Sequence, residues 1–233
     1  TGTPSISLAS SSSELTGTLV RDASQGIATF PSLKFIGQIG NKNVTAVAAS
    51  LSLTSMTSTV NLTFGAPTQL VLTTSATGAV NRAGISTVPV VAVKDISGNT
   101  VDDSSVTVTV SEASSEISLA GTVERAASSG VASFTGLGVN GKVGQYTLTF
   151  STPGLPEITQ TIDLTHGAAV KLAIVNSANT SRSGIDFGAQ PVINILDQDN
   201  NLVDTGAASV ATVTVTRTGG VANIILSGTT QVV

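Results

Sequence analysis

The chain has no cysteine and no tryptophan, and only one tyrosine, one methionine and one histidine. The missing cysteine excludes a disulfide framework, a thiolate metal site and a thiol nucleophile. Aromatic residues make up 3% and charged residues 10%, both well below ordinary globular usage. Ten Lys and Arg against fourteen Asp and Glu give a formal net charge of −4. That balance has neither the basic footprint of a nucleic-acid binder nor a polybasic patch for anionic lipid. No hydrophobic run approaches the length of a membrane span. The first residue is Thr1 and no signal-peptide pattern precedes the fold, as expected of a processed chain, a trimmed chain or a piece of something longer.

What is present is small and aliphatic. Hydrophobic residues are 40% of the 233, enough for a packed core, and Val and Thr suit pleated strands. The most informative feature is self-similarity. LTGTLVRDASQGIATFPSL from Leu15 matches LAGTVERAASSGVASFTGL from Leu119, which aligns Gly26 with Gly130 and Phe30 with Phe134, an offset of 104. LTFGAPTQLVL from Leu62 matches LTHGAAVKLAI from Leu164, and VPVVAVKDISGNTVDD from Val88 matches QPVINILDQDNNLVDT from Gln190, both at 102. LAGT at Leu119 returns as LSGT at Leu226. A unit of about a hundred residues suits a β-sandwich domain. The repeat divides the chain into 1–65, the later part of one unit; 66–166, a complete unit; and 167–233, the earlier part of a third. Such a chain is either an excerpt of a longer array or one whose partial units a neighbouring chain completes by strand donation.

Period-two alternation marks strands at VTVTV (106–110), YTLTF (146–150), LVLTT, VPVVAV, GVASF and ITQTIDL. Val106, Val108 and Val110 share one face, as do Tyr146, Leu148 and Phe150. VNGK at 139–142 is the strongest hairpin signal, since Asn-Gly accepts the positive φ angles of a type I′ turn. No 3.6-residue stripe with caps is present, so little or no helix is expected. Seven or eight strands per unit predict an all-β fold of tandem two-sheet antiparallel sandwiches.

The ordered motifs carry a family likeness. They run from Gly167 to Leu172, from Val91 to Val101, and through Leu119–Thr122, Ser129–Leu137 and Gly144–Phe150. This series resembles the bacterial immunoglobulin-like repeats of large surface proteins, of the invasin/intimin and S-layer-associated type. The resemblance spans the whole chain and implies an extracellular, non-enzymatic role as stalk, spacer, lattice former or adhesive tip. Two departures stand out. The tyrosine of the second unit is replaced in the first by Val44 or a near neighbour, and the Gly-Asn turn of the second becomes Asn200-Asn201 in the third.

The candidate sites are few. Asp197, Asp199, Asn201 and Asp204 offer oxygens for calcium, but the Gly and distal Glu of an EF-hand loop are missing. The aligned stretch reads Asp95, Ser97 and Asn99, with Asp102 and Asp103 beyond. Asp, Asn and Gly are equally what a tight turn requires. The turn reading explains both copies and calcium only one, so the turn is preferred. An ion shared by acidic residues between domains is a further alternative.

His166, at the junction of two units, reads as a wedged ring, with Phe64 in its place one repeat earlier. No partner residues suggest a metal site, and no G-x-S-x-G elbow suggests a hydrolase. Glu14, Glu112, Glu116, Glu124 and Glu157 lie in polar stretches that suit surface rather than a glycosidase cleft. N-x-S/T at Asn43, Asn61 and Asn179 permits glycosylation. Lys94 and Lys171 read as exposed strand lysines rather than isopeptide donors.

The reading is a non-enzymatic extracellular structural protein: an Ig-like repeat segment of a cell-surface stalk, filament or S-layer-type assembly. It requires no cofactor, apart from the calcium alternative. The expected partners are other copies of the chain or neighbouring repeats. The rival is an adhesin module that binds a glycan or host protein through loops at one sandwich end, thinly supported by one Tyr and no Trp.

Overall fold

The structure is a computed structural model that describes residues 4–12, 14–102, 106–219 and the backbone of 231–232. Asp103 and the LSGT stretch at 226–229 lie outside the described residues. Among the described residues, twenty strands and two single-turn 3₁₀ segments (Ala49–Leu51 and Ala207–Val210) make up the regular structure. The expected dominance of β-structure holds because the residues are β-branched or small and alternate in polarity.

The early segment has six strands: β1 (Ser5–Ser10), β2 (Leu15–Thr16), β3 (Val20–Asp22), β4 (Lys34–Phe35), β5 (Gly40–Val47) and β6 (Met56–Leu62). They form a four-stranded sheet in the order β3-β1-β5-β6 and a β2-β4 pair.

The central segment holds ten: β7 (Gln69–Thr74), β8 (Ala79–Val80), β9 (Val90–Lys94), β10 (Thr107–Ser111), β11 (Ile117–Ala120), β12 (Glu124–Ala126), β13 (Val131–Ser133), β14 (Gly138–Gly141), β15 (Gly144–Ser151) and β16 (Ile158–Thr165). One sheet runs β12-β10-β15-β16-β8, a second runs β13-β9-β7, and β11 pairs β14. All ladders are antiparallel except β16 with β8, where Leu164 and Thr165 run parallel to Ala79 and Val80.

Between these sheets lies the main core. Val108 and Val110 of β10, and Tyr146, Leu148 and Phe150 of β15, are buried as the alternation predicts. They meet Val91 and Val93 of β9, together with Phe134 and Leu137. Phe134 and Phe150 pack as a tilted pair, centroids 5.4 Å apart.

The late segment has β17 (Lys171–Asn176), β18 (Val192–Leu196), β19 (Val213–Thr214) and β20 (Gln231–Val232). The repeat in sequence is a repeat in register. β17 pairs β18 as β7 pairs β9, offset by 102, and the ladder irregularity at Ile174/Asn176 reproduces the one at Leu72/Thr74.

The L-x-G-T motif has a steric cause. Gly121 has φ +79°, and a Cβ there would overlap the carbonyl of Gly136; Gly17, at φ +114°, stands in the same relation to the carbonyl of Ser32. Only glycine accepts both the angle and the approach.

One expectation is corrected and another narrowed. VNGK is not a hairpin turn: Asn140 lies inside β14 opposite Ser118, and β15 belongs to the other sheet. Gly141, at φ +137°, lets the chain cross between sheets where a Cβ would meet the carbonyl of Glu116. The counterpart of Tyr146, expected at Val44 or a near neighbour, is Lys42, because Gly40 opposite Leu62 matches Gly144 opposite Leu164. Lys42 pairs with Glu14 at 2.6 Å, whereas the Tyr146 hydroxyl donates to the Lys142 carbonyl at 2.9 Å.

Candidate functional site at the segment junctions

Both stretches singled out for calcium or a turn fold as tight turns. Asp95 N–H donates to the Asn99 carbonyl and Gly98 N–H to the Asp95 carbonyl; Asp197 with Asn201, and Asn200 with Asp197, do the same. The residue that must take positive φ is Gly98 (+79°) in one and Asn200 (+65°) in the other. Asparagine tolerates the left-handed region, so the lost Gly-Asn pair does not alter the turn.

Each turn surrounds a buried carboxylate. Asp95 is 3% exposed and Asp197 1%. Asp95 Oδ1 accepts the N–H groups of Ser97 and Asn99, each at 2.9 Å. Its Oδ2 accepts Gly65 N–H and Asn99 Nδ2, also at 2.9 Å. Asp197 Oδ1 accepts Asp199 and Asn201 N–H at 2.9 and 2.8 Å. Its Oδ2 accepts Gly167 N–H and Asn201 Nδ2, both at 2.9 Å, and Asn81 Nδ2 at 2.7 Å. Gly65 and Gly167 belong to the linkers, so each carboxylate ties linker to turn.

The asparagine that closes the turn reaches back to the preceding segment. Asn99 Nδ2 donates to the Gly37 carbonyl at 2.8 Å, and its Oδ1 accepts Ile39 N–H at 3.1 Å. Asn201 repeats this on Gly141 and Val143, at 2.8 and 3.0 Å. A carboxamide thus reads the exposed edge of one peptide segment, donor to acceptor and acceptor to donor, as a neighbouring strand would. Sequence reasoning missed both clamps. Their signal was the shared Asp-x-x-x-Asn together with the shared Gly-x-Ile and Gly-x-Val one unit earlier.

The second junction has more. Asn81 accepts Gly141 N–H on Oδ1 at 2.8 Å and donates to Asp199 as well as Asp197. Arg82 grips Asp199 through Nε and Nη2, at 2.6 and 2.7 Å. The candidate residues therefore separate. Asp197, Asp199 and Asn201 gather in one network, while Asp204 is largely exposed and stands 3.6 Å from His166 Nε2. His166 is a junction ring: Nδ1 lies 2.8 Å from the Gly167 carbonyl and Nε2 2.7 Å from Thr205 Oγ1. Lys94 Nζ bonds the Gly98 carbonyl and Thr100 Oγ1, and Lys171 Nζ the Gln198 carbonyl, so both ammonium groups hold turns.

Burial alone would raise the Asp95 pKa, but the amides of Gly65, Asn99 and Ser97 outweigh it and hold the carboxyl at about 2. Asp197 is shifted the same way, with Gly167, Asn201 and Asn81 as donors. Asp199 is lowered chiefly by Arg82 and Asn81. An unfolded aspartate titrates at about 3.9. A folded pKa below the unfolded one adds stability at higher pH, and that stability disappears as the folded carboxyl takes up its proton. Stability to urea is therefore expected to be flat above roughly pH 5 and to fall between about pH 4 and pH 2. Asp95→Asn is expected to flatten that fall, which urea midpoints taken across the range will check.

The comparisons with known proteins bear on the fold. The family model described as SMCHD1 Ig-like domain 6 matches residues 65–177. Three similar solved structures are a glycosyl hydrolase family 2 member from Bacteroides cellulosilyticus, the Parabacteroides merdae β-glucuronidase, and domains 1–6 of the surface layer protein SbsC. The first is 14% identical with TM-score 0.37, covering 70% of this chain and 22% of its own. The second is 12% identical with TM-score 0.34, covering 70% and 21%. The third is 17% identical with TM-score 0.32, covering 92% and 27%. This chain thus spans between a fifth and just over a quarter of those proteins. No curated protein matches it. With the sheet topology, the family match defines the class: an all-β protein of immunoglobulin-like antiparallel sandwich fold.

Proposed function

We propose that the chain is a non-enzymatic structural segment in which the later part of one Ig-like repeat (1–65), a complete repeat (66–166) and the earlier part of a third (167–233) are locked end to end as part of an extracellular cell-surface stalk, filament or S-layer-type assembly. This is the role implied by its likeness to invasin/intimin-type repeats. One observation carries the reading: the same turn-to-loop clamp occurs at both junctions, at equivalent positions. Relative motion is the default between domains joined by small polar interfaces. Here Gly65 and Gly167 N–H are bound to buried carboxylates, and the asparagine amides fix the preceding loop. Bonds that directional limit bending, as a load-bearing or length-setting array needs.

In this reading Asp95 and Asp197 are structural acceptors rather than calcium ligands. The donor set supports it: a cation at Asp197 would face N–H groups already on both oxygens, whereas calcium takes six to eight oxygens. Small-angle X-ray scattering will test the proposal. The expected result is an extended, narrow particle, unchanged between millimolar calcium and chelator, and visibly more flexible in Asn99→Ala/Asn201→Ala. A flexible wild-type chain would overturn the locked array, and a rod that forms only with calcium would restore Asp197 and Asp199 as ligands.

A further inference from the structure

The two junctions share the carboxamide clamp but differ at its edge. The turn at 95–99 reads Asp-Ile-Ser-Gly-Asn, and that at 197–201 reads Asp-Gln-Asp-Asn-Asn. Ser97 therefore occupies the place of Asp199, and its carbonyl accepts Gln38 Nε2 of the early segment at 3.1 Å. Asp199 instead meets a charged receptor. Arg82 is one of the few non-glycine residues at positive φ (+60°), with its N–H on the Val139 carbonyl at 3.2 Å. That backbone aims the guanidinium out of the central segment onto the next turn, where its planar fork matches the carboxylate. Asn81 beside it divides its amide between Gly141 N–H behind and the two aspartates ahead.

The Arg82 side chain is half exposed and that of Asp199 about a fifth. An ion pair this open adds little to stability. What open charge pairs set instead is orientation and choice of partner.

We propose that Asn81 and Arg82 are the specificity determinants of the central unit's end surface. They select, as the unit that follows, one whose turn reads Asp-x-Asp-x-Asn over one that reads Asp-x-Ser-x-Asn. The proposal rests on the locked-array reading and adds to it a code for the order of units. The buried aspartate and terminal asparagine make any turn of this kind fit; the middle acid makes it fit this particular end. Asp199→Ser is the direct test, since it converts the late turn to the early form without touching Asp197 or Asn201.

The absence of cysteine allows two labels to be placed cleanly. Spin labels on Glu157→Cys and Asp186→Cys report across the second junction, and on Ser58→Cys and Glu157→Cys across the first, by double electron–electron resonance on the whole chain. Asp199→Ser is expected to widen the distance distribution across the second junction roughly twofold, toward the default freedom of linked domains, and to leave the first unchanged. Arg82→Ser should widen it equally, and the double variant no further, as partners in one contact behave. Narrow distributions in wild type and in Asp199→Ser alike, or additive effects of the two variants, would overturn the code while leaving the locked array intact. Broad distributions across both junctions in wild type would overturn the array itself.

Discussion

Asp95→Ala is expected to destabilise the central segment by about 3–5 kcal/mol, which would appear as a urea midpoint lower by a molar unit or more. The carboxylate accepts four hydrogen bonds at 2.9 Å while only 3% exposed. Deletion strips Gly65, Ser97 and Asn99 N–H of their acceptor at once. A buried donor left without a partner costs about 1–3 kcal/mol, and partial access of water to the junction keeps the total below the sum. Asp95→Asn retains one acceptor oxygen but turns an NH₂ toward donors, so it should fall between wild type and alanine. The exchange rates of the Gly65 and Asn99 amides should rise with either change. A midpoint shift worth less than about 0.5 kcal/mol for Asp95→Ala would mean that the hub is dispensable to the fold.

Phe150→Ala has an effect of similar size by another route. Phe150 and Phe134 are fully buried, and the ring pair anchors a core otherwise built of Val, Ala, Leu and Ile with the single Tyr146. Truncating a buried phenylalanine costs about 3–5 kcal/mol through lost transfer energy and the cavity left behind. With β-branched, stiff neighbours such as Val91, Val93, Val108 and Val110 around it, the site has little means of collapse, which places the expected loss toward the upper end. Scanning calorimetry of the whole chain will check it, the central transition moving to lower temperature. The early segment carries Ala46 at the same register, since Leu8 faces Ala46 as Val110 faces Phe150. Ala46→Phe therefore has no guarantee of gain, whereas loss at 150 is direct. A shift worth less than about 1.5 kcal/mol would show that the core repacks easily.

The strands were legible in the sequence because a strand's alternation is local. VTVTV and YTLTF predicted their own buried faces, and β10 and β15 bear them out. The repeat predicted equivalent registers, and β17-β18 reproduces β7-β9 down to its irregularity. The Asn-Gly of VNGK misled because a turn dipeptide is local while the partner of a strand is not. β14 is held by β11, which lies some twenty residues earlier, and Gly141 is needed for a crossing between sheets. The tyrosine's counterpart was narrowed to Val44 or a near neighbour, and the ladder sets it at Lys42, whose charge Glu14 receives.

At the candidate site, the spacing of Asp197, Asp199 and Asn201 showed a turn with a surplus of oxygen atoms and nothing of what those atoms meet. Asn81, Arg82, Gly141 and Val143 lie some sixty to a hundred and twenty residues away along the chain, and although Gly141 and Val143 repeat Gly37 and Ile39, no local pattern ties them to the turn. By itself the sequence determined the all-β composition, the repeat length and the chemistry a turn needs, because each is legible in local steric and polar patterns. The tertiary structure alone decided that the buried aspartates and asparagines face across a junction. Which donors reach a carboxylate depends on how two folded segments meet, and that geometry is set by long-range packing.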